Sequence, residues 1–191
     1  MDEIAAHAGT SKSVFYRYFG DRAGLRRAVA ERVTANMERR LLEAAGVDAD
    51  GPAALRRMVG VCLSVAATSP HVYAFAVADE TTPGDAAGAV LTPFFERVSH
   101  VLGDGLARDL AARGYELEPG SPLQLWPRAA VGMVRAALEA WLGAPDDARA
   151  DIETTAHAVS AWLLAGVLPP EPAAGGLATP TPSLTTLGAT T

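Results

Sequence analysis

The sequence predicts an all-α fold, with a short helix-turn-helix unit at its amino end followed by a larger helical domain. Nearly half of the 191 residues are apolar, which excludes a wholly disordered chain. Apolar residues recur at helical spacing, most clearly in the series Leu25, Val29, Val33, Met37 and Leu41. Sustained alternation with hairpin turns is absent from the sequence, so we expect almost no strand.

Glycines and capping residues divide the first 20 residues into two short helices. A helix over residues 1–8, with Ile4, Ala5 and Ala8 on one face, is expected to end at Gly9, because glycine readily adopts the conformation that closes a helix. Thr10 or Ser11 can cap a second helix, which is expected to run to about Phe19 and to end at Gly20. The sequence therefore predicts two helices joined by a tight turn.

Periodicity and helix breakers predict the remaining helices. Asp21 can cap a long helix over residues 22–45, and residues 46–52 are expected to form a linker. We expect a loop rich in Gly and Pro over residues 114–122, and a last helix that starts at Asp146 or Asp147 and ends near Val167. The other helices are predicted over residues 53–68, 70–78, 86–113 and 126–142.

One uncharged stretch, residues 58–78, has the length of a membrane span. It contains Ser69 and Pro70, however, and proline disfavours a helical conformation for the residue before it. We therefore expect two buried helical pieces that separate at Pro70, and no membrane span. Because the chain opens without a basic and apolar leader pattern, the cytoplasm is the expected location.

Charge is divided unevenly along the chain. Eight basic and six acidic residues give residues 1–46 a net charge of +2, and the total of −6 leaves −8 for the rest. A basic amino-terminal segment on an otherwise acidic chain is expected where only that segment contacts phosphate. The single cysteine, Cys62, excludes a disulfide framework and a Cys-rich zinc site.

The second helix mixes aromatic and basic residues, which predicts two different faces. Phe15 and Phe19 lie four residues apart and are expected to face inward, against Ile4, Ala8 and Leu25. The outward half then carries Lys12, Ser13, Tyr16 and Arg17. This spacing is compatible with a small helical core flanked by solvated charges. It is also compatible with a recognition helix whose polar residues contact phosphates and base edges.

The segment from Ile4 to Leu25, IAAHAGTSKSVFYRYFGDRAGL, resembles the DNA-binding signature of TetR-family transcriptional regulators. The shared features are an Ile-Ala…Ala-Gly turn, a serine-led helix, an aromatic cluster and a basic residue at the start of the next helix. The resemblance implies that Tyr16 and Arg22 grip phosphates, although lysine is more usual than Arg22 and leucine is more usual than Phe15. It also implies a recognition face formed by Ser11, Lys12, Ser13 and Arg17.

The resemblance implies two domains, and composition adds a tail. Residues 1–46 would form an incomplete helix-turn-helix DNA-binding domain with its connecting helix, and residues 47–168 a helical ligand-binding and dimerisation domain. Residues 169–191, built from Pro, Ala, Gly, Thr and Ser, are expected to be a disordered tail. Helices 126–142 and 152–167 would pair with their copies in a homodimer, and packing within one chain is the alternative. Its expected interface residues are Trp141, Leu142, Trp162, Leu163 and Leu164.

An apolar cavity for a small-molecule effector is expected in the second domain. The residues that could line it are bulky or polarisable, and each of them also fits an ordinary core position. They are Met58, Cys62, His71, Tyr73, Phe75, Phe94, Phe95, His100, Trp126 and Met133.

We expect a ligand-responsive transcriptional regulator, a repressor that a small apolar effector releases from double-stranded operator DNA. In the TetR family a further helix precedes the turn, whereas Met1 lies where the second helix begins. Either the start codon is assigned too late or strong DNA binding is lost, and the retained phosphate-gripping residues favour the first explanation. The alternative function is a dimerising or ligand-binding protein that no longer reads DNA.

Enzymatic chemistry is not predicted. The side chains that could supply it are scattered without a metal-ligand spacing or a nucleophile motif, which predicts no catalytic residue, no metal site and no cofactor. They are His71, Asp79, Glu80, His100 and His157.

Overall fold

The computed structural model describes residues 2–46, 51–77, 87–165 and 184–186. Its helices are α1 (Asp2–His7), α2 (Lys12–Phe19), α3 (Arg22–Gly46), α4 (Gly51–Thr68), α5 (Pro70–Val77), α6 (Gly88–Ala112), α7 (Trp126–Gly143) and α8 (Ile152–Ala165). A 3₁₀ helix over Pro122–Leu125 leads into α7, and two short strands, β1 (Tyr115–Leu117) and β2 (Leu184–Thr186), complete the described part. The predicted all-α fold is confirmed.

Local chemistry sets the boundaries of the first three helices. Gly9 has a φ of +65° and Gly20 a φ of +73°, a left-handed region that glycine adopts without steric cost. The Ser11 hydroxyl accepts a hydrogen bond from the backbone N–H of Val14 at 3.3 Å and caps α2. The Asp21 carboxylate accepts one from the N–H of Gly24 at 2.7 Å and caps α3. The predicted capping residues therefore act as expected.

The main core lies around α4, which packs against both α3 and α8. Val59, Leu63 and Ala66 of α4 are buried there, together with Leu41 of α3 and Val159 of α8. Burial of a valine or leucine side chain stabilises the fold by about 1.5–3 kcal/mol, and burial of an alanine contributes less. The predicted apolar stripe of the long helix therefore faces a real core.

A second and smaller core joins α3, α5 and α6. Three alanines, Ala30, Ala76 and Ala87, are fully buried in it beside Leu91. Because alanine side chains are small, the backbones of α3 and α5 can approach closely at this junction. α5 therefore lies directly against the amino-terminal half of α3.

The uncharged stretch of the sequence forms α4 and α5, which meet at an angle of 104°. Ser69 and Pro70 lie at the break, where the sequence predicted it. Within the described residues no single helix is both long and apolar enough to cross a bilayer, although the bent α4–α5 pair meets the length and composition test when taken together.

The last helix begins later than predicted. Residues 145–148 form a turn, and Asp151 is the residue that caps α8. Its carboxylate accepts from the backbone N–H of Thr154 at 2.8 Å and from the Thr154 hydroxyl at 2.7 Å. These hydrogen bonds lower the pKa of the Asp151 carboxyl. The predicted start at Asp146 or Asp147 is therefore wrong, because Asp151 supplies the stronger cap.

A short antiparallel pairing lies in the region predicted to be a loop. β1 pairs with β2, and Glu116 lies opposite Thr185. Residues 184–186 belong to the predicted disordered tail, whose remaining residues lie outside the described part of the chain. The predicted helix boundaries at residues 78, 86 and 167 also lie outside the described part of the chain.

Candidate nucleic-acid interface and effector cavity

The inward face of α2 is formed by an aromatic pair. Phe15 is buried, and its ring centroid lies 4.8 Å from that of the half-buried Phe19 at a tilt of 51°. Tilted pairs of this kind are favourable beyond the area that they bury. The pair anchors an eight-residue helix that would be too short to be stable alone.

The side chains predicted to meet DNA are all exposed. Tyr16 keeps 40% of its surface exposed, and Arg22 extends from the first turn of α3. The residues that share this exposed surface are Ser11, Lys12, Ser13, Tyr16, Arg17 and Arg22. In α2, residues 12, 13, 16 and 17 fall on one side because residues three and four apart are neighbours on a helix.

One of these residues already has a partner. The Lys12 ammonium lies 2.9 Å from the Asp2 carboxylate, and this hydrogen bond raises the pKa of Lys12. Both side chains are exposed, so solvent and salt screen the pair. Lys12 can therefore exchange Asp2 for a phosphate group.

A second exposed aromatic lies beside the predicted set. Tyr18 is exposed, and the Arg17 guanidinium lies 5.6 Å from its ring centroid. Sequence reasoning placed Tyr18 in the aromatic cluster without a role, although its position next to Arg17 could have indicated it. At this distance the Arg17 guanidinium can interact with the face of the Tyr18 ring on the outward surface.

The capping hydrogen bond at the start of α3 limits how an anion could bind there. Asp21 already bonds the N–H of Gly24, so this donor is not open to a phosphate group. A phosphate would therefore meet the guanidinium of Arg22.

The inward face of α1 differs from the prediction. Ile4 is 44% exposed and Ala8 is also exposed, whereas Ala5 is buried. Thr10 donates its N–H to the carbonyl of Ala5 at 3.0 Å, so the turn folds back over that residue. The sequence predicted Ile4, Ala5 and Ala8 on one face of this helix, and of the three only Ala5 lies inward.

Two comparisons identify this amino-terminal unit. The family model described as bacterial regulatory proteins, tetR family, matches residues 1–29, which are α1, α2 and the start of α3. This amino-terminal unit belongs to the TetR family. MT0489 and Rv0472c, each named an uncharacterized HTH-type transcriptional regulator from a strain of Mycobacterium tuberculosis, are 30% identical to this chain over 146 residues. The match covers 76% of this chain and 60% of each relative.

An apolar cavity of about 60 Å³ lies between α3, α4, α5, α6 and α7. Five of the predicted residues line it: Met58, Cys62, Tyr73, Phe94 and Phe95. Residues that the sequence analysis missed contribute the rest of the wall: Met37, Leu41, Leu55, Val59, Val98, Leu102, Val131, Val134, Arg135 and Leu138. Their helical spacing is that of ordinary core residues, so nothing in the local sequence identified them as residues that line a cavity.

The other five predicted lining residues lie elsewhere. His71, His100 and Met133 are exposed, and Phe75 is outside the cavity wall. Trp126 instead donates its indole N–H to the carbonyl of Leu163 at 3.0 Å, which ties α7 to α8. The bulky or polar character of these residues singled them out in the sequence, but it did not predict which way their side chains face.

Two groups give the cavity its chemistry. The Arg135 guanidinium lies 4.8 Å from the ring centroid of Phe95, at the cavity wall. Cys62 as a residue keeps some exposed surface, yet burial of its thiol among apolar atoms raises the pKa to about 12. The thiol is therefore neutral at physiological pH and adds no charge to the cavity wall.

The predicted dimer residues divide into two groups. Trp162 is 42% exposed and Leu164 is 50% exposed on the outer side of α8. Leu163 is buried in the main core, and Trp141 and Leu142 pack against that core. The exposed apolar surface that the five predicted residues provide on α7 and α8 is thus smaller than the sequence predicted.

Proposed function

We propose that this chain is a DNA-binding transcriptional regulator whose recognition helix is α2. The observation that carries this proposal is the exposed polar face of α2 beside Arg22, held outward by the buried Phe15. A helix that enters the major groove needs polar side chains at its amino-terminal end and phosphate contacts on either flank. Lys12 and Arg17 are suited to base edges, and Tyr16 and Arg22 to phosphates.

A mobility-shift assay with DNA that flanks the gene tests the proposal. We expect a protein-dependent shift at low salt and a loss of about tenfold in affinity for Arg17→Ala, the magnitude of one lost base contact. Arg56→Ala is the matched control, because Arg56 is exposed on α4, far along the chain from α2. No shift by the wild-type protein at low salt contradicts the proposal.

We further propose that the regulator acts as a homodimer through α7 and α8. Trp162 and Leu164 are large apolar residues left exposed on α8, and Met133 is exposed on α7. A two-fold axis would bury them against their copies and would present two recognition helices to successive major grooves. Light scattering is expected to give a dimer, and a monomer at micromolar concentration would exclude this arrangement.

A contact between the two domains supports a response to ligand. Arg26 of α3 donates its Nε–H to the carbonyl of Phe75 at 3.1 Å. Phe75 lies in the last turn of α5, whose carbonyls have no N–H donor within the helix. Tyr73, two residues earlier, lines the apolar cavity. A ligand that moves α5 would therefore move the start of α3, next to the recognition helix.

The proposed effector is small and apolar, and it releases a repressor from DNA. At about 60 Å³ the cavity holds little more than a few water molecules, so an effector must expand it. Such a ligand favours the expanded state, which is the condition for shifting the equilibrium. A thermal-shift screen of apolar metabolites should identify stabilising ligands. Reciprocity then requires that DNA weaken ligand binding by the factor by which the ligand weakens DNA binding.

A further inference from the structure

A second space, an open groove of about 640 Å³, lies between α3 and the corner where α4 meets α5. It has the size of a typical small-molecule site, whereas the internal cavity is about ten times smaller. Tyr73 alone is common to the walls of both spaces. We call this space the α3 groove.

Guanidinium groups dominate the polar lining of the α3 groove. Arg32, Arg39 and Arg40 all extend from α3, and neither aspartate nor glutamate is among the described residues that line it. Arg39 is paired with Glu43 at 3.1 Å and also bonds Asn36. Within the described residues Arg32 and Arg40 form no ion pair, and Arg40 is partly buried. The groove therefore carries positive charge that an anion would neutralise.

Apart from Asn36, Thr68 and Ser69, the rest of the described lining is largely apolar. Val33 of α3, Val65 of α4 and Val72 of α5 line the groove, together with Tyr73. The stretch of α3 from residue 32 to residue 40 is about 12 Å long at the rise of an α-helix. Inorganic phosphate would leave this apolar surface in contact with water, and a neutral apolar molecule would leave Arg32 and Arg40 without a counter-charge.

We propose that the α3 groove binds a small organic monocarboxylate that has an apolar portion. Its carboxylate meets the planar guanidinium of Arg40, and Arg32 or Arg39 adds a second contact. Its apolar portion covers Val65 and Val72. A molecule bound there contacts α3 and the α4–α5 corner at once, so it holds these elements together.

Calorimetric titration of the full chain with 4-phenylbutyrate tests this site without DNA. We expect saturable binding about tenfold tighter than that of 4-phenylbutan-1-ol, which has the same apolar part without the charge. Inorganic phosphate is expected to bind at least as weakly as the alcohol. Arg40→Gln should weaken 4-phenylbutyrate binding by about tenfold, whereas Arg56→Gln on the exposed side of α4 should leave it unchanged.

A substitution in the internal cavity separates the two spaces. Val134→Phe fills part of that cavity and lies outside the α3 groove, so 4-phenylbutyrate binding should persist in this variant. Equal affinity for the acid and the alcohol, or full affinity in Arg40→Gln, would overturn the proposal. Loss of binding in a folded Val134→Phe protein would overturn it as well, because it would locate the ligand in the cavity. A failure here leaves DNA binding untouched, since the titration contains no DNA.

Discussion

Replacing Ala76 by leucine perturbs the small core that joins α3, α5 and α6. Ala76 is 0% exposed and packs with the fully buried Ala30 and Ala87, so three additional carbon atoms have no free space there. Overpacking of a tight core costs about 1–3 kcal/mol. For a chain of this length that corresponds to a melting temperature lower by about 2–12 °C. The preceding residue, Phe75, would move with α5 and weaken its hydrogen bond with Arg26.

Urea denaturation followed by far-UV circular dichroism measures this change. Ala74→Leu is the matched control on the same helix, because Ala74 is exposed and its substitution should stay within about 0.5 kcal/mol of wild type. We also expect Ala76→Leu to lower DNA affinity under conditions where the protein is fully folded. An Ala76→Leu protein as stable as wild type would refute the close packing of α3 and α5.

Three further predictions concern single side chains. Asp2→Asn releases Lys12 and removes a negative charge beside α2, so DNA affinity in a mobility-shift titration should rise by a few-fold, as expected for a screened surface pair. The bidentate bond from Arg97 lowers the pKa of Glu38, so its stabilising contribution is present above about pH 4.5 and is lost as the pH falls further. Glu38→Gln should therefore flatten the acid limb of stability measured by urea denaturation against pH. Burial raises the pKa of Cys62 to about 12, so iodoacetamide should alkylate it about a thousandfold more slowly than free cysteine, and rapid labelling of folded protein would contradict the burial of the thiol.

Local chemistry made the amino-terminal unit predictable. Ser11, Gly20 and Asp21 act over three or four residues, and caps and left-handed turns depend on such short distances. The spacing of Phe15 and Phe19 likewise predicted which side of α2 faces inward. The exposed face of α2 follows from the same helical period.

Features that depend on distant parts of the chain could not be predicted. The α3 groove joins Arg40 to Val72, two residues that no periodicity connects. Half of the predicted cavity residues face elsewhere, because an aromatic or histidine side chain can serve a cavity, a core or the surface. The start of α8 at Asp151 rather than Asp146 depends on hydrogen bonds to Thr154, and both aspartates look like capping residues in the sequence.

The salt dependence of the affinity for duplex DNA tests whether α2 and the neighbouring Arg22 contact DNA. If Arg22 neutralises a phosphate, Arg22→Gln should reduce the slope of log affinity against log salt by about 0.9. Tyr16→Phe removes an exposed hydroxyl but no charge, so DNA affinity should fall while the slope stays unchanged. Wild-type slope and affinity in both variants would contradict a DNA-facing role for this surface.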